Sequence, residues 1–420
     1  MDPGRGHMNA LTRAGLAVLF CLAGFSTAWP QDNDFASLRQ QAEAGDARAQ
    51  FALANHYFRG REVAQDYTQA LIWYRQAADH GIAPAGNQLG NMYEHGLGVA
   101  QDYGRALTYY RMAADHGDAL AQYNLAVMFE YGRGARRDYR RAFEWFRKAA
   151  DQNEPDAEEE VGFFYQRGFV GSRDFGQALA WYHRAASHGC SNAENQLGYL
   201  AQQGWGQPQD FVEALSWYFK GAEDGNDNAQ ENIGYMYQHG IGVEIDYPKA
   251  MYWFYKAAGQ GNTNAENQLG WMYQFGQGVR PDFAQALTWY RMAAEQGNKN
   301  GIDNLQALTA KLKAGDGSLW EAANTSAVQA ARSQSERRRR ISDLRRGIAE
   351  LEFDAQQEEN LAAQMEQPGK GAVAAVINTI GAVGAMKFRL EAERYHAEAA
   401  RLRGELAELD EHLTAGVPID

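Results

Sequence analysis

Apolar and aromatic positions recur along the chain with a fixed period of 36 residues. Each period contains an aspartate followed by an aromatic residue, an alanine four residues after the aspartate, and an aromatic residue three residues after the alanine. This order occurs seven times. The aspartates lie at Asp66, Asp102, Asp138, Asp174, Asp210, Asp246 and Asp282. A period of about 20 to 50 residues is typical of arrays in which each unit packs on its neighbours. The pattern predicts seven units over residues 46–297.

Each unit has the pattern of two helices. In the last unit, Leu269, Met272 and Tyr273 fall at helical spacing, and Gly276 follows where a left-handed turn would end the helix. Asp282 is placed to cap the second helix by accepting backbone N–H groups. We interpret the seven aspartates as such caps, because a fixed period spreads carboxylates along an array and a catalytic or metal site needs them at one point.

The residues of the last unit carry a resemblance to a known family. The unit matches the consensus of the Sel-1-like repeat nearly throughout, at Ala265, Leu269, Gly270, Tyr273, Gly276, Gly278, Val279, Asp282, Ala286, Trp289, Tyr290, Ala293 and Ala294. The resemblance implies an all-α fold, an α-solenoid of helix-turn-helix repeats similar to tetratricopeptide repeats. It also implies a protein that binds other proteins and carries out no chemistry.

Segments outside the array have distinct patterns. Residues 29–45 and 298–312 resemble half-units, and we expect each to form a capping helix over one end of the stack. Residues 1–28 combine early arginines, an uncharged and largely apolar run, and small residues Ser26 and Ala28 before Trp29. This order predicts a signal peptide cleaved after Ala28. The mature protein is then periplasmic, and either soluble or peripherally associated with a membrane.

The C-terminal tail predicts a linker over 313–336 and an antiparallel coiled-coil hairpin over 337–413. Apolar residues repeat in heptads on both arms, and the arginines of 337–340, together with Arg345 and Arg346, would face acidic residues of the second arm such as Glu405. The tip, 371–386, is rich in glycine and alanine and has no charged residue until Lys387. Three roles stay open for this tip: shallow insertion into a membrane, association with other copies, and packing on the protein itself.

Charge and chemistry-bearing residues narrow the function. A net charge of −13 disfavours binding to nucleic acid, including by the arginine run of the tail. No motif for a nucleotide, a metal or a nucleophile is present, so we expect no enzyme activity, cofactor or metal. His80, His116 and His188 share one repeat offset and are expected at solvated helix ends. Cys190, the one cysteine beyond the signal segment, is expected as a free thiol in an exposed turn.

The leading hypothesis is a periplasmic adaptor that grips a protein partner. The middle of the first helix is aromatic in units four to seven, and aromatic residues among polar neighbours are typical of interface hot spots. The candidate binding residues are Phe163, Tyr199, Tyr235, Trp271, His239 and Phe275. The same aromatics could instead pack between repeats. Two further functions stay open: an immunity or inhibitor protein that neutralises a secreted toxin or a sensor, and an envelope-structural protein anchored by its tail.

Overall fold

The computed structural model describes residues 35–60, 62–315, 317–365, 393 and 396–408, and all regular secondary structure in these residues is α-helical. The signal segment 1–28 and the tip 371–386 lie outside the described residues. The chain divides into two compact units, one with residues 35–193 and 205–207, the other with 194–204 and the described residues from 208 onward.

The N-terminal unit begins with one helix and continues with helix pairs. We call the first helix of each repeat helix A and the second helix B. Its helices are α1 (Phe35–Glu43), α2 (Ala47–Arg59), α3 (Tyr67–Asp79), α4 (Ala83–His95), α5 (Tyr103–Asp115), α6 (Ala119–Tyr131), α7 (Tyr139–Ala150), α8 (Pro155–Arg167) and α9 (Phe175–Ser187).

The C-terminal unit continues the same alternation and ends in a long helix. Its helices are α10 (Ser191–Gln203), whose first three residues belong to the N-terminal unit, α11 (Phe211–Glu223), α12 (Asp227–His239), α13 (Tyr247–Gly259), α14 (Thr263–Phe275), α15 (Phe283–Glu295), α16 (Lys299–Ala314) and α17 (Gly317–Met365). Residues 396–408 form a further helical segment. The predicted α-solenoid of helix pairs is thus confirmed.

In five of the seven repeats, a glycine inside helix A lies directly against an aromatic ring of helix B. In the last repeat, a Cβ added at Gly270 would fall 2.5 Å from the ring of Tyr290, which is fully buried. The Tyr290 hydroxyl donates to Oε1 of Gln274 at 2.9 Å, so the ring is fixed at both ends. Leu269 and Met272 are also fully buried. A side chain at position 270 would therefore need the ring of Tyr290 or one of the two helices to shift.

The recurring aspartates cap helices B, as predicted. Oδ1 of Asp282 accepts from the backbone N–H groups of Ala284 and Gln285 at 2.9 and 3.0 Å. Helix A of the same repeat ends at Gly276, whose φ of 70° is the left-handed conformation that glycine adopts without steric cost. Both boundaries of the interhelical turn thus follow from local chemistry.

Single helices flank the pairs at both ends. Leu38 and Ala42 of α1 pack on Ala49 and Leu53. At the other end, Leu308 and Leu312 of α16 belong to a buried cluster with Leu287 and Tyr290 of α15, and Ala327 of α17 joins the same cluster. Residues 313–336, expected as a linker, instead contain the end of α16 and the first turns of α17. The reason is that α17 finds an apolar surface on α15 to cover.

Candidate protein-binding surface

Two aromatic pairs stand on the outer face of neighbouring helices A in the C-terminal unit. On α12, the rings of Tyr235 and His239 lie with their centroids 4.0 Å apart. On α14, the rings of Trp271 and Phe275 are 4.3 Å apart. Tyr235, Trp271 and Phe275 are 36%, 41% and 50% exposed. We call these four residues the aromatic surface.

The helical period explains why these side chains face outward. Leu269 and Met272 of α14 are buried in a cluster with residues of α13 and α15, and Gly270 faces Tyr290 of α15. Positions 271 and 275, one turn apart, lie on the other side of the helix. The contact between residues four apart also stabilises each pair within its own helix. The exposure of the pairs is therefore a consequence of the repeat register.

Polar contacts join the two helices that carry the aromatic surface. Near the C-terminal end of α12, Nε2 of Gln238 donates to Oε1 of Gln277, in the turn after α14, at 2.9 Å. At the other end, Nδ2 of Asn262, the N-cap of α14, lies 3.4 Å from the carbonyl oxygen of Asp227. The helices are thus held together at both ends, and the aromatic pairs occupy equivalent positions on adjacent repeats.

The other two predicted residues are less accessible. Tyr199 on α10 is half-buried. Phe163 on α8 is only 7% exposed, because its ring packs edge-on against Phe169 at 5.7 Å and lies beneath the guanidinium of Arg167 at 5.6 Å. Phe163 is therefore packed within its own repeat, whereas positions 235 and 271 are open to solvent.

Side chains at the start of helix A and the end of helix B form a polar ladder. Within one repeat, Oε1 of Gln50 bonds Nδ1 of His80 at 2.9 Å, and Glu158 bonds Nδ1 of His188 at 2.8 Å. The Gln230–Gln260 and Glu266–Gln296 pairs occupy the same positions in later repeats. The histidines lie at exposed helix ends, as expected from the sequence.

Cys190 differs from its expectation. It is 7% exposed and not in an exposed turn, and it is a free thiol. Burial raises the pKa of the thiol well above its usual range, and the nearby carboxylates of Glu159 and Asp156 raise it further. Because the thiolate is the nucleophilic form, such a cysteine is inert.

The tail helix docks on the ladder through arginines. The guanidinium of Arg338 pairs with Glu266, which is fully buried and also accepts from Nε2 of Gln296 at 2.9 Å. Seven residues further along α17, Arg345 bonds Oε1 of Gln260, the ladder residue of the preceding repeat. Seven helical residues span about 10.5 Å, a distance typical of adjacent packed helices. The seven-residue spacing between Arg338 and Arg345 on α17 therefore matches the distance between equivalent ladder positions of two consecutive repeats.

Burial of the docked carboxylate changes its titration. Burial raises the pKa of Glu266 to about 7, and the Arg338 charge together with the hydrogen bonds from Arg338 and Gln296 opposes the rise. Burial likewise raises the pKa of Asp227, and hydrogen bonds from Asn262 and the backbone oppose the rise more strongly than the charge of Arg345 does. Arg338 thus compensates a carboxylate, Glu266, that the repeats would otherwise bury at greater cost.

One predicted contact of the hairpin is present among the described residues. Nε of Arg340 donates to Oε1 of Glu405 at 2.9 Å, and a Cβ at Gly347 would lie 3.3 Å from Leu402. Arg345 and Arg346, which were expected to face the second arm, instead contact Gln260 and Asp343. The reason is that α17 lies against the repeats on one side, so only part of its surface faces the segment 396–408.

Metal-binding clusters and membrane-spanning helices are two other features to consider in the described residues. No cluster of three or more histidine, cysteine, aspartate or glutamate side chains with metal-binding geometry occurs there. Within the same residues, no helix has both the length and the apolar character needed to cross a membrane.

The paired helices, the interhelical turns and the 36-residue period define a helical repeat protein of the solenoid class. The Sel1 repeat model matches seven consecutive segments, 47–82, 83–118, 119–154, 155–190, 191–226, 227–262 and 263–298. The chain belongs to the Sel1 repeat family.

Solved structures and a curated relative agree with this assignment. A Sel1 repeat protein from Oxalobacter formigenes is 36% identical, with a TM-score of 0.55, over 59% of this chain and 99% of the other. The protective antigen c5321 of uropathogenic Escherichia coli, which displays an SLR fold, is 28% identical, with a TM-score of 0.57, over 91% and 96%.

The curated match is local. It is the secretory immunoglobulin A-binding protein EsiB of Escherichia coli, 50% identical over 38 residues. These residues are 9% of this chain and 8% of the relative. The match thus spans a length close to one repeat of this chain and a small part of the relative.

Proposed function

We propose that the protein is a non-enzymatic scaffold that binds a protein partner through the aromatic surface of α12 and α14. The observation that carries the proposal is the exposure of Tyr235, Trp271 and Phe275 at equivalent positions of adjacent repeats. Large aromatic side chains at interfaces contribute much of the binding energy, and their exposure in a free protein is costly. The Sel1 repeat is a fold of protein-interaction scaffolds, which supports the same conclusion.

The proposed compartment is the periplasm. The support is the order of residues 1–28, with arginines first, an apolar run second and small residues before Trp29. Mass spectrometry of the mature protein tests this step. A mature N-terminus at Trp29 is expected, and a chain that keeps residues 1–28 would contradict the proposal.

The proposed role of the tail tip, 371–386, is contact with a membrane or with a second copy. The support is its uncharged, glycine- and alanine-rich sequence between two charged arms. Liposome flotation and light scattering should be compared for the full chain and for a chain ending at residue 365. If both chains are monomeric and neither floats, the tip has neither role.

Site-specific photo-crosslinking tests the binding surface directly. A benzophenone amino acid is placed at position 235 or 271 in the native host, and crosslinked products are identified by mass spectrometry. Both positions should capture the same protein. The matched control is position 212 on α11, where Val212 is 72% exposed and lies outside the aromatic surface.

The expected result is one partner at both aromatic positions that is absent at position 212. The paired substitution of Tyr235→Ala and Phe275→Ala should abolish its capture from position 271. If position 212 captures the same protein with equal yield, the aromatic surface is not the binding site.

A further inference from the structure

The N-terminal unit has an arginine cluster that is not part of the aromatic surface. The turn between α6 and α7 and the first turn of α7, residues 133–141, contain five arginines in a chain of net charge −13. At the position of Arg137, other repeats have Gln65, Gln101 and Gln209, whose side-chain amides donate to a carbonyl oxygen near the end of helix A. In the third repeat, the positively charged Arg137 takes the place of this glutamine.

Few carboxylates neutralise these arginines. Arg133 is paired with Glu94 at 2.8 Å and is partly buried. Arg140 contacts Glu144 only at 3.4 Å, with its side chain 87% exposed. Arg136 and Arg137, both exposed, have no acidic partner among the described residues. Most of the positive charge in this turn therefore faces solvent.

One further carboxylate, that of Asp138, is already engaged. Its Oδ1 accepts from the backbone N–H of Arg141 at 3.0 Å to cap α7, and its Oδ2 lies 3.4 Å from the Arg141 side chain. We call Arg136, Arg137, Arg140 and Arg141 the arginine patch. Asp138 and Glu144 together carry two negative charges against the four exposed guanidinium groups of the patch.

The patch lies at a depression that can hold side chains of another molecule. The depression has a volume of about 500 Å³ and is lined by residues 135–139 and Arg141. Nearby, Tyr131 at the end of α6 is 47% exposed, with the Arg133 guanidinium 5.4 Å from its ring centre. Arginine and tyrosine are both enriched at protein interfaces.

We propose that the arginine patch of the third repeat is a second protein-binding surface, and that it takes an acidic segment of a partner protein. Guanidinium groups bind carboxylates in bidentate pairs, and a run of acidic residues would present several carboxylates to four guanidiniums. This surface is distinct from the aromatic surface, because the two lie on different units and differ in chemistry.

The surroundings favour an acidic protein segment over other anions. The negative net charge of the whole chain repels extended polyanions such as nucleic acid and anionic membrane surfaces. A short acidic segment needs contact only with the patch itself. The concave site and the exposed tyrosine also suit a peptide better than a flat lipid surface.

Fluorescence anisotropy with a labelled oligo-glutamate peptide tests the proposal. The patch variant carries Arg136→Gln, Arg137→Gln and Arg140→Gln, all at exposed positions. The matched control carries Arg280→Gln, Lys299→Gln and Lys311→Gln, three exposed cations of the C-terminal unit. Circular dichroism melting of both variants verifies that the fold is retained.

The patch variant should bind the peptide at least tenfold more weakly than the unmodified chain, and the control should stay within twofold. Binding of the unmodified chain should also weaken as salt rises. Equal losses in the two variants, or no binding by the unmodified chain, would overturn the proposal. Vesicles containing phosphatidylglycerol are the comparison probe, and patch-dependent binding to vesicles without binding to the peptide would assign the surface to lipid instead.

Discussion

Replacing Glu266 by glutamine should make the stability of the protein less dependent on pH. The carboxylate is fully buried under α17, and burial raises its pKa from 4.5 to about 7 although Arg338 stands beside it. The folded state therefore holds a proton between about pH 4.5 and 7 that the unfolded state has released. By linkage, the free energy of unfolding falls as pH rises through this window.

The magnitude follows from the shift. Each pKa unit corresponds to about 1.4 kcal/mol, so a rise from 4.5 to about 7 corresponds to about 3 kcal/mol, present below pH 4.5 and lost by about pH 7. Glutamine has a similar shape and no charge to bury. The difference in unfolding free energy between Glu266→Gln and the unmodified protein should accordingly grow by about 3 kcal/mol in favour of the variant between pH 4.5 and 8.

Urea unfolding at several pH values, followed by circular dichroism, measures this difference. Glu231, whose pKa burial and the Asp227 charge also raise to about 7, contributes equally to both proteins and cancels. A second variant, Arg338→Met, removes the compensating charge, so its stability should continue to fall above pH 7. If the Glu266→Gln difference is independent of pH, Glu266 is ionised throughout and the argument from burial is refuted.

Three further predictions concern packing, reactivity and binding. Gly270→Ala places a methyl group 2.5 Å from the Tyr290 ring and should lower the unfolding free energy by about 1–3 kcal/mol in urea titration. The control is Gly297→Ala, where the added methyl group meets open space but φ is 83°, so its effect measures backbone strain without steric overlap. Cys190 should react with a thiol reagent at the rate of global unfolding, and fast labelling of the native protein would contradict its burial. Trp271→Ala should weaken binding of the crosslinked partner by about 2 kcal/mol or more, with an unchanged melting temperature of the protein. A parallel loss of stability would assign the residue to packing.

The repeat array could be predicted from the sequence because its determinants are local. The cap of Asp282, the left-handed turn at Gly276 and the close approach at Gly270 each depend on residues within one unit, so a single repeat contains the information for its own two helices. The period then repeats the result seven times. Packing between neighbouring repeats follows because each repeat has the same apolar face to cover.

The position of the tail could not be predicted in the same way. The heptads of α17 are compatible with either of two partners, the second arm of a hairpin or the surface of the repeats. The choice depends on Glu266 and Gln260, which lie 72 and 85 residues before the arginines that contact them. A pattern within α17 does not identify partners so distant in sequence, so the arginines were expected to face the acidic arm alone.

The same position of helix A has different surroundings in different repeats. At one offset of helix A the fold accepts Phe163 as a buried ring and Trp271 as an exposed one, so the repeat register does not fix the environment of that position. What differs is the adjacent turn, where Phe169 covers Phe163 and the corresponding residue of the last repeat is Gln277. The same turn carries Arg133 in the third repeat. Variation in this turn therefore contributes both to which aromatic residues stay exposed and, together with Arg140 and Arg141 at the start of α7, to where positive charge collects.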